Sequence, residues 1–187
     1  MATIDLPNNI LEALSTVLQQ LQQSLPKIKQ APDFSAIAFK WENGELKPIH
    51  QLKRIELNDL KGIERQKEKV LQNTEQFLNG LPANDVLLTG SRGTGKSSIV
   101  RALLTEYADQ GLRLIEIERD DLSELPEIQK LIAERPEKFI VYCDDLAFNA
   151  EDENYRSLKS VLDGSLQSGS SNFIIYATSN RRHLLPE

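Results

Sequence analysis

The sequence lacks the features that mark several classes of protein. Its single cysteine, Cys143, cannot form a disulfide within the chain. Its first residues contain neither the basic segment nor the apolar run of a secretion signal, and no apolar stretch approaches the roughly 20 residues that cross a bilayer. These absences predict a soluble cytoplasmic protein that does not act in a membrane.

Basic charge and aromatic residues are also scarce. The formal net charge is −6, and aromatic residues make up 6% of the chain. Proteins that hold nucleic acid without sequence preference typically have a broad basic surface, or a groove in which aromatic and basic side chains alternate. The composition therefore leaves nucleic acid as a possible partner without direct support, through a local basic groove at most.

The length of 187 residues predicts one main domain with some peripheral structure. We expect that domain at residues 56–187, preceded in residues 1–55 by an amphipathic helix and an irregular segment with short strands or turns. Apolar residues recur at steps of three and four between residues 9 and 25, as expected for one face of a helix. Two interpretations fit this helix: it packs against the main domain, or it contacts a partner or another subunit.

From residue 64 onward, the pattern predicts helices and strands in strict alternation. The expected helices span residues 64–79, 95–110, 126–134 and 154–167, and the expected strands span residues 85–89, 113–117, 139–143 and 173–177. Short apolar strands separated by helices are typical of a parallel sheet that is covered on both faces. The predicted fold class is therefore α/β.

A glycine-rich loop follows the first of these strands. Gly90, Gly95, Lys96 and Ser97 match the phosphate-binding pattern of glycine, four residues, then Gly-Lys-Ser. Glycines allow the backbone to approach an anion, the following helix adds its positive N-terminal end, Lys96 can reach the β and γ phosphates, and the Ser97 hydroxyl can bind Mg²⁺. The residues expected to contact the nucleotide here are Gly90, Ser91, Arg92, Gly93, Thr94, Gly95, Lys96, Ser97 and Ser98. The loop predicts nucleotide binding.

Two carboxylates follow the apolar strand at residues 139–143. Asp144 and Asp145 would lie at the carboxyl edge of the sheet, where open α/β sheets bind ligands. We expect Asp144 to hold Mg²⁺, usually through water, and Asp145 to orient or deprotonate an attacking water. The alternative, a pair of loop carboxylates that cap the next helix, is less consistent with a phosphate loop about 50 residues earlier.

Small polar residues follow the last strand. Among Thr178, Ser179 and Asn180, we expect Asn180 to lie beside the γ-phosphate and hold the attacking water. Arg181 and Arg182 come next and can stabilise charge in a phosphoryl transition state, in this site or in that of a neighbouring subunit. The alternative is that both arginines are solvated residues that open a loop.

These strand ends, together with residues 57–67 ahead of the loop, resemble the Walker A, Walker B and sensor 1 motifs and the adenine-side segment of the AAA+ ATPase superfamily. From about residue 39 to residue 187, the chain more specifically resembles a bacterial AAA+ family catalogued as domain of unknown function 815. The phrases that carry this resemblance are Gly62-Ile-Glu-Arg-Gln-Lys, Gly93-Thr-Gly-Lys-Ser-Ser, Tyr107-Ala-Asp-Gln-Gly-Leu-Arg-Leu-Ile-Glu, Cys143-Asp-Asp-Leu, Leu158-Lys-Ser-Val-Leu-Asp-Gly and Tyr176-Ala-Thr-Ser-Asn-Arg-Arg-His-Leu. The resemblance implies a P-loop three-layer sandwich with strand order 5-1-4-3-2, in which the backbone near Leu60 and Ile63 borders the adenine.

The sequence departs from the AAA+ pattern in two places. AAA+ proteins usually have Asp-Glu where this chain has Asp144 and Asp145, so the expected base is one methylene shorter. The chain also ends at Glu187, ahead of the point where the family continues into a fifth strand and a helical lid with its sensor 2 arginine. We therefore expect an incomplete core without the lid.

The leading hypothesis is an AAA+ ATPase that binds ATP or ADP with Mg²⁺ and drives assembly or remodelling of a macromolecular partner, by self-association or on another protein. A second is a nucleotide-gated binding module with little or no hydrolysis, which the shorter Asp145 and the expected loss of the lid favour. A third is a P-loop kinase that phosphorylates a small acceptor. The kinase needs an acceptor pocket and an arginine-rich lid, and neither is visible before the chain ends.

Overall fold

The computed structural model describes residues 7, 10, 13–17, 32–147 and 172–180. The chain divides into two units, Met1–Ala31 and Pro32–Glu187. In the first unit, residues 10 and 13–17 are helical, within the helix expected at residues 9–25. The remainder of that helix and the helix expected at residues 154–167 lie outside the described residues.

The second unit contains a six-stranded sheet. Its strands are β1 (Ala38–Glu42), β2 (Glu45–Pro48), β3 (Val86–Thr89), β4 (Leu112–Glu116), β5 (Lys138–Cys143) and β6 (Phe173–Ser179), in the order β2-β1-β4-β5-β6-β3. All neighbouring strands are parallel except β1 and β2. The strands predicted from residue 85 onward lie in the order β3-β6-β5-β4, which is the 1-4-3-2 part of the order that the resemblance implied, and the α/β fold class is confirmed.

The hairpin of β1 and β2 corrects the expected domain boundary. Residues up to 55 were expected to lie outside the main domain, but the division falls after Ala31 because β1 pairs in parallel with β4 and extends the sheet. Asn43 and Gly44 join the two strands with φ angles of 54° and 73°. This Asn-Gly turn suits the twist of a two-residue hairpin, and it lies in the segment where the sequence predicted short strands or turns.

Among residues 32–147 and 172–180, three helices cover the sheet: α1 (Glu64–Leu78), α2 (Lys96–Tyr107) and α3 (Leu125–Ile132). Short 3₁₀ turns lie at Leu57–Asp59, Ala108–Gln110 and Arg119–Glu124. Helices α1 and α2 pack on one face of the sheet, while α3 and the turn before it pack on the other. The result is the three-layer sandwich that the resemblance implied.

Strand β5 shows why its residues belong in the centre of this sandwich. Ile140 and Tyr142 pack in the core under α1 and α2, whereas Phe139, Val141 and Cys143 pack in the core under α3. Successive side chains of a strand point to opposite faces, so a strand with both faces covered is apolar throughout. Because β3 to β6 are parallel, their carboxyl ends share one edge of the sheet, and the candidate site lies there.

None of the helices in the described ranges has both the length and the hydropathy of a membrane-spanning helix.

Candidate functional site

The loop at residues 90–97, here called the phosphate loop, joins the end of β3 to the start of α2. Gly93 and Gly95 have φ angles of 79° and 85°, in the left-handed region that side-chain-bearing residues rarely adopt. A Cβ atom on Gly95 would also lie 3.3 Å from the Cδ1 atom of Ile63. Helix α2 begins at Lys96, and the first amides of a helix have no carbonyl partner within it. The loop therefore has the backbone of an anion-binding turn.

Lys96 lies inside the phosphate loop and links it to the end of β6. Its Nζ atom donates to the carbonyl oxygens of Gly90 at 2.7 Å and Ser91 at 2.8 Å, and to the Oδ1 atom of Asn180 at 3.1 Å. The ammonium group has three N–H donors, so these contacts satisfy it. The positive charge is held where a bound phosphate would replace the two carbonyls as its partner.

Ser97 and Asp144 contact each other across 47 residues of sequence. The Ser97 hydroxyl donates to Asp144 Oδ1 at 3.0 Å, and the same carboxylate oxygen accepts hydrogen bonds from the Thr178 hydroxyl and, at 3.2 Å, from the Asp145 amide. Burial raises the pKa of Asp144, but the hydroxyls of Thr178, Tyr142 and Ser97 and the Asp145 amide outweigh it and hold that pKa below its ordinary value. Asp144 is therefore ionised near neutral pH and has oxygens that could bind a cation.

This pair of oxygens fits Mg²⁺. The ion prefers oxygen ligands in an octahedron with bonds of 2.0–2.1 Å, in which neighbouring ligand atoms are about 3.0 Å apart. The Ser97 and Asp144 oxygens are separated by 3.0 Å. The donor set thus suits a hard divalent cation that retains water in its other positions.

Asp145 and Asn180 form the other side of the site. Asp145 has a φ angle of 53°, and its Oδ1 atom accepts a hydrogen bond from the Asn180 side-chain amide at 2.7 Å. The carbonyl oxygen of the same amide accepts from Lys96. The Asn180 side chain therefore links the Lys96 ammonium group to the Asp145 carboxylate.

A cavity of about 350 Å³ lies between these groups. Its lining residues are Arg92, Gly93, Thr94, Gly95, Lys96, Ser97, Ser98, Asp144, Asp145, Thr178 and Asn180. Its volume falls within the range of about 300 to 1,000 Å³ that is typical of ligand pockets. Nearly all of the residues expected to bind phosphate and metal are thus brought to one cavity at the carboxyl edge of the sheet.

The remaining expected site residues lie outside this lining. Gly90 and Ser91 contribute the carbonyls that hold Lys96, and Gly90 also donates its amide to the Ser179 carbonyl at 3.2 Å. Leu60 and Ile63 are half-buried against the core under α1 and α2. Arg181 and Arg182 lie outside the described residues.

Two hydroxyl groups at the site were not among the residues chosen from the sequence. Thr178, passed over in favour of Asn180, is buried and contacts both carboxylate residues. The Tyr142 hydroxyl is buried near Asp144 and favours its ionised form, although it lies outside hydrogen-bond geometry with every described residue, and burial raises the pKa of Tyr142 itself. The available signal for Tyr142 was one hydroxyl in an otherwise apolar strand, two residues before Asp144.

Comparison with protein families gives a match over most of the chain. The model of the family described as "Protein of unknown function (DUF815)" matches residues 34–187. The replication factor C large subunit of Methanococcus maripaludis is 36% identical over 52 residues. That match covers 28% of this chain and 11% of the relative, so the chain spans a small part of the relative's length.

Two solved structures share the architecture over about two thirds of the chain. Trip13 from Rhizobiales superposes with a TM-score of 0.51 at 14% identity, over 67% of this chain and 57% of that one. A DNA replication initiation factor superposes with a TM-score of 0.50 at 18% identity, over 71% of this chain and 43% of that one. At these identities the likeness is evidence of a common fold.

Proposed function

The chain belongs to the DUF815 family and has the AAA+ P-loop fold, and we propose that it binds ATP and ADP with Mg²⁺ and hydrolyses ATP. One observation carries the proposal: a lysine, a serine hydroxyl, two carboxylates and an amide from three separate segments meet at a single cavity. A phosphate-loop motif by itself can occur by chance, whereas this convergence brings together groups that could bind phosphates, hold Mg²⁺ and orient a water.

Binding of the phosphates would use the phosphate loop. Lys96 would exchange the Gly90 and Ser91 carbonyls for oxygens of the β and γ phosphates, and amides of residues 92–98 would donate to the others. The backbone near Leu60 and Ile63 would border the adenine. The close approach of Ile63 to Gly95, where an added Cβ atom would lie 3.3 Å from Ile63 Cδ1, supports this assignment, because the segment before α1 then lies beside the loop.

Ser97 and Asp144 would hold Mg²⁺, in keeping with the spacing of their oxygens. Bound Mg²⁺ would offset negative charge on the phosphate oxygens. Asp145 would orient the attacking water or accept its proton, and Asn180 would hold that water in place. Arg181 and Arg182 are proposed to stabilise the charge of the transition state, in this site or in that of a neighbouring copy.

The test of this function compares Lys96→Ala with the wild-type chain. We expect the variant to lose ATP binding by about 100-fold and to lose ATP turnover, because a charge-assisted contact to phosphate is removed. Lys69→Ala is the matched control, since Lys69 is an exposed lysine of α1 away from the cavity. Calorimetry would measure affinity and phosphate release would measure turnover. Turnover by Lys96→Ala at the wild-type rate would show that this cavity is not the ATPase site.

A nucleotide-gated binding module is the second candidate. It is supported by Asp145, whose side chain is one methylene shorter than the usual glutamate and whose carboxylate is already bonded to Asn180. If this length limits hydrolysis, Asp145→Glu should raise turnover by about tenfold, a modest share of what a positioned general base contributes. A gate would also make the sedimentation coefficient or protease sensitivity differ between ATP and ADP. The same sedimentation coefficient and protease sensitivity with ATP and with ADP would exclude a nucleotide-dependent gate.

The partner that we propose is a second copy of the chain or another protein, in the cytoplasm. Nucleic acid is the alternative, and the name of the matched replication factor C subunit is the reason to test it. The net charge of −6 opposes a broad nucleic-acid surface. Sedimentation with ATP, with and without single-stranded or duplex DNA, would distinguish self-association from DNA binding.

A further inference from the structure

Asp145 has a backbone conformation that needs support. It is one of two non-glycine residues with positive φ in the described part of the chain, and the other, Asn43, is in a hairpin turn. Aspartate tolerates the left-handed region better than most residues, but the conformation is still unfavourable and persists only where its surroundings hold it. The φ angle matters to the site because it helps set where the Asp145 carboxylate lies.

Thr178 supplies hydrogen bonds to three successive residues around this point. Its hydroxyl donates to Asp144 Oδ1 and accepts from the Asp145 amide at 2.9 Å, and its backbone carbonyl accepts from the Leu146 amide at 2.6 Å. Strand register makes this possible, because Cys143 lies opposite Ala177 in the β5–β6 pair and the next residues adjoin. Thr178 thus joins the turn that carries both carboxylates to β6.

The hydroxyl and the backbone of Thr178 have separable roles. The carbonyl contact to Leu146 is available to any residue, whereas the two hydroxyl contacts require serine or threonine. Thr178 is 1% exposed, so water has little access to the position of its hydroxyl, and a methyl group there would remove this partner of Asp144 and of the Asp145 amide. Valine has nearly the same shape as threonine, which isolates the hydroxyl as the variable.

We propose that Thr178 is a positioning residue of the metal site: its hydroxyl holds Asp144 toward Ser97 and stabilises the left-handed Asp145 so that its carboxylate meets Asn180. This inference rests on the proposed function, that the cavity binds Mg²⁺ and ATP. Thr178 acts through the two aspartates, since its own hydroxyl is already bonded to both residues.

The experiment measures the affinity of a fluorescent ATP analogue in EDTA and across a Mg²⁺ titration, for the wild-type chain, Thr178→Val and Thr178→Ser. In EDTA we expect the three proteins to agree within about twofold. Thr178→Val should need at least about tenfold more Mg²⁺ for half of the metal effect, as is typical when a group that orients a metal ligand is removed. Thr178→Ser should need no more than about threefold more, because it retains the hydroxyl.

Three results would overturn the proposal: an unchanged Mg²⁺ requirement in Thr178→Val, an equal loss in the valine and serine variants, or an equal loss with and without Mg²⁺. If Thr178→Val does not fold, Thr178→Ala removes the same hydroxyl with a smaller side chain. Failure of both to fold while Thr178→Ser folds would assign the hydroxyl to stability alone. A wild-type chain that binds no nucleotide would instead overturn the proposed function, and this inference with it.

Discussion

Two parts of the site differ in the contacts that hold them in place. One is the phosphate loop, and the other is the strand-end cluster, which consists of Asp144, Asp145, Thr178 and Asn180. Within the loop, Lys96 and the Thr94 hydroxyl bond to carbonyls that lie three to six residues away. In the cluster, the hydrogen bonds of Asp144 and Asp145 to Thr178 and Asn180 join residues 33 to 35 positions apart, and Ser97 reaches Asp144 across 47 positions. Apart from its hydrogen bonds to Asp144, Ser179 and Asn180, the loop is therefore held by local contacts, whereas the cluster is held by contacts between distant segments.

This difference suggests that the two regions contribute separable properties. A loop held by its own backbone can retain affinity for phosphate when the cluster is altered. In the proposed function, metal binding and hydrolysis would depend on the cluster, whose groups have no fixed arrangement until β5 and β6 pair. We therefore expect substitutions in the cluster to change turnover and those in the loop to change ATP affinity.

The largest separation is expected from Asp145→Asn. Turnover should fall by about 100-fold because an amide is a poor proton acceptor, while ATP affinity should stay within about threefold. Asparagine also tolerates a positive φ, so the backbone should be retained. Single-turnover phosphate release and calorimetry measure the two quantities, and Asp109→Asn is the control outside the cavity. A parallel loss of affinity would break the comparison, because the cluster would then also hold the phosphates.

Gly93→Ala should produce the opposite pattern. Gly93 has a φ angle of 79° with no atom near the position of a new Cβ, so the substitution adds backbone strain without a clash. The left-handed conformation costs about 1–2 kcal/mol for alanine, and we expect a loss of ATP affinity of about tenfold. Gly111→Ala is the matched control. Gly111 has a similar φ angle of 92° and equally open space for a Cβ atom, but it lies outside the phosphate loop, where it ends the turn at Ala108–Gln110.

The Gly111→Ala control should lower the thermal stability of the fold by a similar amount and leave ATP affinity unchanged. If both variants lost affinity equally, strain anywhere in the fold would explain the result. The locally built loop would then have no special part in binding.

The smallest effect is expected from Thr94→Ala. The Thr94 hydroxyl donates to the Ser91 carbonyl at 2.8 Å within the loop and faces solvent, so its loss should weaken ATP binding by about threefold, in line with a single neutral hydrogen bond. Thr94→Ser should behave as the wild-type chain. A loss as large as that of Gly93→Ala would mean that the side chain, and not only the backbone, shapes the loop.

Most of the fold could be predicted from local sequence. The apolar strand ahead of Gly90 and the glycine pattern of the loop predict β3 and the start of α2, and the structure has both. For β1 and β2 the sequence predicted only short strands or turns within an irregular segment, because both strands are short and their buried residues, such as Trp41, are separated by charged ones. Their place in the sheet depends on the pairing of β1 with β4, which lies far along the chain.

The site residues also fall into those that local sequence predicts and those that depend on strand pairing. Lys96 and Ser97 could be assigned from a nine-residue window because glycine conformation and the helix start act over that distance. Nothing in the sequence favoured Thr178 over Asn180, since both are polar residues at the end of the same apolar run. Only the register of β5 and β6 shows that the Thr178 hydroxyl contacts both aspartate residues, while Asn180 reaches Lys96.

The sequence by itself determined the phosphate loop and the α/β alternation, because backbone conformation and hydrophobic periodicity are set by neighbours in the chain. The tertiary structure decided that β1 and β2 belong to the sheet, that Asn180 lies between Lys96 and Asp145, and that Thr178 contacts both aspartates. These contacts join segments tens of residues apart. Their geometry exists only once parallel strands pair in one register and bring their carboxyl ends to a common edge.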